Sequence, residues 1–578
     1  MADKLIINLL GIGILFFLPL SWLGFVLPKY ILIALVFLLF FIQFSIKGEK
    51  IYVRSWIFKL VIVYFGVLFV FTLFSGSPLS SFLGISGSMQ GFQTALLYLG
   101  AFLFAICLSK ESEKYFLKVL KIVHIIAGSY ALLQWLRLDP LQFLWDNDMF
   151  LHRTFSFFGN PNWLAAFMVL TMPLLFSVKK NLPWVLVFEW FVLFSTGSKA
   201  GFLAGLLLMI FLLWQKGYKK FLLFIPFIFL GILASLFVLY PDFALLLRSL
   251  MVREIVWIDT FKIIQHWPWG HGLDLFTFIY PHFASPGVFE YEDIDSIIDS
   301  PHNQSLQLIF ESGLFGFIFF FTLVCSIVRF YIKKHKIKDR SSSHLEWGLI
   351  AYLVTNVFGF DTLATGVIFW LLLGIMARSD HPLDLSFFKR MGFMLFGVFF
   401  LFMMSLNIEH LYADFFYDQG WQYLKQNKPV QSINSFESAI SIYAYDRVYL
   451  LQASETILAL DLPMPEQLEK VHQYLLKTEN MSNGLDPEVT ILRAWYYAHQ
   501  KNSLVAEQYF NQAINNNPYK LRNYLIGFQV FNLLKEPDKI EELKKTLKYL
   551  LPSYWDKPET ESGRIFQKNY PWIREILQ

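Results

Sequence analysis

The feature that most constrains this chain is a series of long apolar stretches that recurs from residue 5 to residue 407. A helix needs about 20 apolar residues to cross the hydrocarbon core of a membrane. Thirteen stretches approach that length: 5–26, 30–46, 56–75, 92–109, 115–136, 161–178, 182–196, 200–215, 221–240, 305–328, 345–360, 363–377 and 391–407. No small-residue cleavage site follows the first, which predicts an uncleaved anchor. The sequence therefore predicts an all-α fold, with a polytopic bundle of about 12–13 transmembrane helices.

Composition argues against several other classes of protein. Hydrophobic residues make up 56% of the 578 residues and charged residues 16%, whereas globular chains carry about 25% charge. The mean hydropathy is +0.48, so neither a purely soluble enzyme nor a disordered chain is expected. A net charge of +4 gives no reason to expect nucleic acid. Cys107 and Cys325 both lie in apolar stretches, which argues against a disulfide framework or a cysteine metal cluster.

Lysine and arginine residues in the loops predict the orientation in the membrane. One set of alternate loops contains nineteen of them, whereas the opposite set contains seven, although it includes the longest loop, 241–304. The richer set is expected to face the cytoplasm and consists of residues 47–54, 110–114, 179–180, 216–220, 329–340 and 378–390. With thirteen spans the N-terminus lies inside and the C-terminal region outside, although one miscounted span would reverse that side.

The character of the chain changes at residue 408, because 408–578 has no apolar stretch of membrane length and shows helical periodicity. The aromatic and alanine spacing from Trp495 to Pro518 fits a tetratricopeptide repeat, and Pro552 follows Pro518 by the 34-residue period of that repeat. We predict a membrane domain at 1–407 and a repeat-like helical domain of three or four hairpins at 408–578. A generic helical bundle is the alternative for the second domain.

Unusual polar residues cluster on the predicted outer face. Arg153 precedes the span at 161–178, Lys199 lies between two spans, and Arg253 lies in the long outer loop, four residues before Trp257. Guanidinium and ammonium groups suit a phosphate or pyrophosphate, and a histidine such as His302 suits proton abstraction from a hydroxyl. Lipid-linked pyrophosphate sugars present such a leaving group at this surface. Anchoring of helix ends at the membrane interface is the alternative role for the three cations.

The span at 305–328 begins with a polar stripe. Gln304, Gln307 and Glu311 fall on one helical face, directly after His302 and Asn303. A carboxylate inside a membrane is costly, and its presence suggests function. Because Glu311 is about two and a half turns from His302, the two cannot form a side-by-side pair on one helix. A structural role for His302, bonding the backbone at the start of the helix, stays open.

Two groups of residues raise the question of a metal. His266, His271 and His282 have a spacing that matches no compact site. The acidic loop 290–299 contains Asp-Ile-Asp, a pattern that some metal-dependent glycosyltransferases use, but a solvated acidic loop is the simpler interpretation. We predict neither a metal nor another cofactor.

Taken in order, these motifs resemble the O-antigen ligase family. This family of membrane glycan transferases includes lipopolysaccharide ligases, O-antigen polymerases and bacterial protein O-oligosaccharyltransferases. Each motif is short, and their order and shared face carry the resemblance, which covers about 150–375. The motifs are RTFSFFGNPN (153–162), STGSKAG (195–201), REIVW (253–257), HWPWGHG (266–272) and PHNQSLQLIFESG (301–313).

The resemblance implies an inverting, metal-independent transfer of a glycan from undecaprenyl pyrophosphate to an acceptor hydroxyl, on the outer face of the bacterial cytoplasmic membrane. It places the family's key histidine at His302 and its arginine before tryptophan at Arg253. Lys199 stands where the family has another arginine, so the charge is kept but the bidentate fork is lost. Glu311 matches the family's glutamate and is expected to support the site, together with Trp257, Asn303 and Gln307.

The leading hypothesis is a glycan ligase in which Arg153, Lys199 and Arg253 hold the pyrophosphate and His302 activates the acceptor. A polymerase that extends the lipid-linked glycan, or a protein O-oligosaccharyltransferase, differs only in the acceptor, which is a glycolipid, a glycan or a protein. A transporter or flippase predicts internal repeats and broken helices, and neither is clear in the sequence. The third class of protein to consider is a scaffold whose membrane part has no catalytic activity. Repeat solenoids are usually binding surfaces, so the repeat-like region is expected to recruit an envelope protein or the acceptor.

Overall fold

A computed structural model describes residues 2–19, 21, 23–47, 50–144, 153–176, 182–215, 243–291, 297–338, 345–383, 387–552, 555–557, 564, 566–568, 573, 576 and 577. The predicted all-α fold is confirmed, because helices make up almost all the regular structure of this part of the chain. Its sheet has two short antiparallel strands, β1 (Ile51–Val53) and β2 (Arg378–Leu383), in which Ile51 pairs with Leu383.

Within the described residues, sixteen α-helices lie between the N-terminus and the start of the repeat-like region. They are α1 (Ala2–Leu15), α2 (Leu27–Lys47), α3 (Ser55–Leu73), α4 (Pro78–Leu83), α5 (Phe92–Cys107), α6 (Lys110–Trp135), α7 (Pro161–Thr171), α8 (Leu182–Thr196), α9 (Lys199–Gln215), α10 (Phe243–His266), α11 (Phe276–Ile279), α12 (Val288–Tyr291), α13 (Gln304–Lys338), α14 (Leu345–Thr355), α15 (Leu363–Ala377) and α16 (Phe387–Lys425). Five of them are long and apolar enough to cross a membrane, and six shorter apolar helices accompany them.

These eleven apolar helices coincide with eleven of the thirteen predicted spans. The predicted span at 5–26 is helical only as far as Leu15. Pro19 cannot continue a helix, and the chain turns there instead, with the amide of Leu18 donating to the carbonyl of Gly24 at 2.9 Å. The predicted span at 221–240 lies outside the described residues.

The core of the membrane part is built on close helix approach at small residues, as is common in membranes. Helices α5 and α15 pack together along their length. A Cβ atom placed on Gly374 of α15 would lie 2.7 Å from the Cβ of Ala105 and 2.8 Å from the carbonyl oxygen of Phe102, both on α5. Glycine at this position is therefore what allows the two backbones to approach.

Described residues of three loops in the set rich in lysine and arginine, 47–54, 110–114 and 378–390, lie at one end of the bundle. The ammonium of Lys47 pairs with Asp3 at 3.1 Å, and the guanidinium of Arg378 pairs with Glu113 at 2.8 Å. These residues lie near the N-terminus and at the helix ends opposite to those that carry Arg153, Lys199 and the start of α13. The motif residues of this bundle therefore share the other end. Which end faces the cytoplasm stays a prediction.

The chain divides into two compact units, and the division differs from the predicted boundary at 407/408. The first unit contains residues 1–235, 269–274 and 302–418, and the second contains 236–268, 275–301 and 419–578. Residue 407 lies inside the single helix α16, which continues to Lys425 and ends just before Asn427, where φ is +55°. Apolar composition stops near residue 407, but helical periodicity does not, which is why composition alone places the boundary early.

The repeat-like region consists of helices of 12 to 18 residues. They are α17 (Pro429–Ile442), α18 (Arg447–Leu458), α19 (Pro465–Ser482), α20 (Pro487–His499), α21 (Ser503–Asn516), α22 (Leu521–Leu534) and α23 (Pro537–Leu550). Consecutive helices contact each other from α17 to α23. The starts of α20 and α22, and those of α21 and α23, are 34 residues apart. The assignment to the tetratricopeptide class stays a prediction.

Replacing Gly374 with alanine is expected to destabilise the membrane part by about 1–3 kcal/mol, because the added methyl group overpacks the contact between α5 and α15. Thermal unfolding of the detergent-solubilised protein measures this as a lower midpoint. Gly392→Ala is the matched control, because a Cβ there meets nothing within 4 Å. Equal midpoints for the two variants would contradict the packing argument.

Candidate active site

Arg153 joins its own motif, RTFSFFGNPN (153–162), to the STGSKAG motif (195–201). Its Nε donates to the carbonyl of Thr196 at 2.8 Å, and its Nη2 donates to Oδ1 of Asn162 at 3.0 Å. The backbone repeats this link, since the amide of Thr154 donates to the carbonyl of Ser195 at 3.0 Å. A planar guanidinium that is held at two of its nitrogen atoms has a fixed orientation. Two motifs that are forty residues apart in sequence thus form one local structure.

The second motif also contains Lys199. Gly197 has φ +59°, and a Cβ there would lie 3.0 Å from Nε of Arg153, so glycine permits both the turn and the close approach. Lys199 is the first residue of α9 and its side chain is exposed. The hydroxyl of Ser198 accepts a hydrogen bond from the amide of Gly201 at 3.3 Å at the same helix end. An ammonium at a helix N-terminus, where the helix dipole is positive, favours an anion.

The loop after Arg153 is fixed from two further sides. The side-chain oxygen of Gln134 accepts from the amides of Phe155 and Ser156 at 3.2 and 2.8 Å. The ammonium of Lys29, which is only 2% exposed, donates to the carbonyls of Phe157 and Phe16, each at 2.8 Å. In the sequence, Lys29 is one of the seven cations in the set of loops poorer in lysine and arginine, and its contacts make it a residue that orders the loop after Arg153.

His302 lies outside α13, directly before the residue that caps it. The side-chain oxygen of Asn303 accepts from the amides of Ser305 and Leu306 at 3.0 and 3.2 Å, which makes Asn303 the N-cap. The backbone of His302 has φ +49°, an uncommon value for a residue with a side chain. Capping of the helix is thus performed by Asn303 rather than by His302.

Aromatic contacts link His302 to the start of α7. Its ring lies 5.4 Å from the ring of Phe360, and Phe360 in turn lies edge-on to Trp163 at 6.5 Å. Trp163 directly follows Asn162, which accepts from Arg153. A continuous path of contacts therefore runs from Arg153 to His302 within the first unit.

Gln304 fixes the position of Phe360 through the next residue. Its side-chain oxygen accepts from the amide of Asp361 at 2.8 Å. The carboxylate of Asp361 also accepts from the hydroxyl of Tyr352 at 2.6 Å and from the side-chain nitrogen of Asn356 at 2.7 Å. Burial raises the pKa of Asp361 to about 6, although both of these hydrogen bonds act in the opposite direction.

Glu311 is buried and its carboxylate is engaged inside the protein. Oε1 accepts from the side-chain nitrogen of Gln307 at 2.6 Å and from the backbone amide of Asp274 at 3.1 Å. These contacts join α13 to the segment that follows the HWPWGHG motif. Gln307 and Glu311 thus connect helix to loop within the first unit.

Helix α13 is broken at Ser312 and Gly313, where φ and ψ leave the helical range. The amide of His271 donates to the carbonyl of Phe310 at 2.8 Å, and that of Gly272 donates to the carbonyl of Glu311 at 3.0 Å. No clear sign of a broken helix is visible in the sequence. The neighbouring segment satisfies its carbonyls, as irregular backbone at membrane depth requires.

Asp274 is a residue that the sequence analysis did not select. Its carboxylate accepts from the amides of Ile85 and Gln90, at 2.7 and 3.0 Å, and from the hydroxyl of Ser88 at 2.7 Å. It therefore orders the loop between α4 and α5. A carboxylate two residues after the Gly-His-Gly turn is the signal that was available in the sequence.

His124 and Glu189 form a second buried pair that the sequence analysis did not select. Nε2 of His124 lies 2.7 Å from Oε1 of Glu189, and Nδ1 lies 2.7 Å from the hydroxyl of Thr171. All three residues are fully buried and join α6, α7 and α8, of which α7 and α8 carry Asn162 and Thr196, the partners of Arg153. Ionisable residues inside apolar stretches were the available signal.

Arg253 and Trp257 lie one turn apart on α10, in the second unit, and both are half-buried. The indole nitrogen of Trp257 donates to the carbonyl of Pro301 at 2.8 Å. Pro301 is the residue before His302, so Trp257 holds the chain at the point where it enters the histidine motif. The contacts that join Arg153 to His302 do not include Arg253.

The three histidines considered as metal ligands lie in different surroundings. His271 stacks on Phe310 at 4.7 Å, His266 lies 5.9 Å from the ring of Phe283, and His282 ends a short turn. Among the described residues, no three His, Cys, Asp or Glu side chains converge as metal ligands. Half of the acidic loop, 292–296, lies outside the described residues.

A comparison with curated proteins finds no match for this chain. A family model described as O-antigen ligase matches residues 184–321. The matched region includes Lys199, Arg253, Trp257, His302, Asn303, Gln307 and Glu311, and it begins after Arg153. The match confirms the resemblance that the motifs predicted, over residues 184–321.

Proposed function

We propose that this membrane protein transfers a glycan from undecaprenyl pyrophosphate to an acceptor hydroxyl on the outer face of the cytoplasmic membrane. The observation that carries the proposal is the path of contacts from Arg153, through Asn162, Trp163 and Phe360, to His302. A fixed guanidinium and a histidine thus lie at the same end of the first unit. This pairing suits a pyrophosphate leaving group and a hydroxyl nucleophile.

In the proposed reaction, His302 accepts the proton of the acceptor hydroxyl while that oxygen attacks the anomeric carbon of the glycan. The bond from this carbon to the pyrophosphate oxygen breaks, and the configuration at the carbon inverts. Arg153, Lys199 and Arg253 stabilise the negative charge that develops on the leaving pyrophosphate. Cleavage of this activated bond between the glycan and the pyrophosphate supplies the driving force, and no metal is required.

The environment of His302 supports this role. Asn303 takes over the capping of α13, which relieves the histidine of that structural task. Gln304 and Asp361 hold Phe360 beside the imidazole ring. Packing against a fixed ring limits the orientations of the imidazole, and a base must be oriented before it can act efficiently.

A transporter or flippase predicts broken helices, and α13 is broken. The exposed carbonyls at this break accept hydrogen bonds from His271 and Gly272. The irregular backbone is therefore hydrogen-bonded within the protein. This favours a structural role for the break over a role in lining a transport path.

The proposed base is tested by His302→Ala. We expect the rate of transfer from purified lipid-linked donor to fall by roughly 10²–10⁴-fold, the usual contribution of a general base. His472→Ala, in the repeat-like region, is the control histidine and is expected to transfer at the normal rate. A His302→Ala protein that folds and transfers normally would refute the catalytic role.

The KM for the donor is expected to change differently when Arg153 is replaced with lysine and when Lys199 is replaced with arginine. Arg153→Lys loses the fork that bonds both Thr196 and Asn162, so we expect the KM for the donor to rise roughly tenfold or more. Lys199→Arg restores the fork that the family has at this position and is expected to keep or lower this KM. An unchanged donor KM in Arg153→Lys would show that its guanidinium does not serve the donor.

The acceptor distinguishes a ligase from its two close alternatives. Loss of all long glycan from its final carrier in a deletion strain supports a ligase. Carriers capped with a single unit support a polymerase, and glycan missing from proteins alone supports an O-oligosaccharyltransferase. Supplying lipid-linked glycan to the purified protein and identifying the molecule that receives it separates the three directly.

A further inference from the structure

The second unit places the long outer loop together with the repeat-like region. It contains 236–268 and 275–301 from the loop and 419–578 from the C-terminal part. Helix α10, which carries Arg253 and Trp257, belongs to this unit. The sequence predicts that the loop belongs to the membrane domain and that the repeat-like region recruits a partner.

Asp259 attaches α10 to the loop that follows it. Its carboxylate is fully buried and accepts from the amide of Ser285 at 2.8 Å and from the hydroxyl of Ser285 at 2.6 Å. It also accepts from the hydroxyl of Tyr280 at 3.3 Å and from the ammonium of Lys262 at 2.8 Å. A buried carboxylate is stable only with such partners, so the position of α10 is coupled to that of residues 280–285.

The same loop lies against the repeat-like region. The ring of Phe278, which is 1% exposed, lies 5.4 Å from the guanidinium carbon of Arg447 at the start of α18. The turn Tyr280–His282 contacts α21. A cleft between loop and repeats is lined by Thr277 and Pro281 on one side and by Arg447 and Lys520 on the other. The loop is thus in contact with several hairpins.

Arg447 is itself held by a network of charges across the hairpins. Its guanidinium pairs with Asp486, with Nη2 at 2.7 Å from Oδ1. Glu488, two residues later, pairs with Lys520 and Arg522. Burial acts against ionisation of Glu488, but the surrounding cations hold its pKa well below the usual range. The cation that touches Phe278 therefore belongs to a fixed part of the repeat-like region.

We propose that the repeat-like region is the support that positions α10, and with it Arg253, through the contact of Arg447 with Phe278 and the hydrogen bonds of Asp259. This inference rests on the proposed function of Arg253. Arg447 and Asp259 are positioning residues, since neither is assigned a contact with the donor. A region that only recruits a partner has no need of a buried contact with the loop.

The test compares two variants of this contact with a matched control in the full-length, detergent-solubilised protein. Arg447→Ala removes the cation, and Phe278→Leu removes the aromatic face while keeping an apolar side chain should Arg447→Ala fail to fold. Lys539→Ala is the control, because Lys539 also pairs with a carboxylate, Glu507, and lies 5.8 Å from an aromatic ring, Phe531, but remote from the loop contact.

Amide hydrogen exchange of residues 255–291 is measured first, since it needs neither donor nor acceptor. We expect exchange to rise roughly threefold or more in both contact variants, in keeping with the strength of one cation–π contact, and to stay unchanged in Lys539→Ala. Unchanged exchange in both contact variants overturns the proposed support. This outcome is independent of whether the protein transfers a glycan.

Transfer kinetics with a soluble acceptor follow. We expect the KM for the lipid-linked donor to rise in both contact variants while kcat changes less, because Arg253 is displaced and His302 is not. Faster exchange with an unchanged donor KM overturns the positioning of Arg253. Normal transfer by His302→Ala would instead refute the proposed function. The amide hydrogen exchange would still show whether the repeat-like region supports α10.

Discussion

A polypeptide backbone that leaves the helical path inside a membrane protein must find hydrogen-bond partners within the protein. In α13 this constraint applies at Ser312 and Gly313. The segment with His271 and Gly272 supplies the donors, and Gly270 lets it approach so closely that a Cβ there would lie 2.6 Å from the amide nitrogen of Gly313. The same segment places Asp274 against Glu311 and against the loop after α4. One break thus orders three separate parts of the first unit.

Much of this arrangement follows from the sequence, because its causes are local. Apolar length locates eleven helices, and the order of the motifs indicates that the loops of Arg153 and Lys199 belong to one structure. The end of α1 near Leu15 is also local, since Pro19 follows it. An average over a window of residues hides a single proline, and this is why the first span is predicted too long.

The remaining features depend on contacts between residues distant in sequence. The pairing of His124 with Glu189 joins residues that are 65 positions apart in sequence. The break in α13 is stable only because another segment donates hydrogen bonds to its carbonyls. The assignment of the outer loop to the same unit as the repeat-like region depends on contacts such as that of Phe278 with Arg447. Periodicity and composition describe one segment at a time and contain no information on such partners.

The chain passes between its two units several times, which affects how it folds. It leaves the first unit after residue 235, returns for 269–274, leaves again and returns at His302. Neither unit can be completed from one continuous stretch, so loop closure over long separations precedes the final packing of both.

Gly197 limits how the region around Arg153 can diverge. Its backbone has φ +59°, and any side chain at this position would meet the guanidinium of Arg153. A substitution there is tolerated only if the arginine moves or is replaced by something smaller. Positions 153 and 197 are therefore expected to change together among relatives of this chain, even though Arg153 lies outside the region that the family model matches.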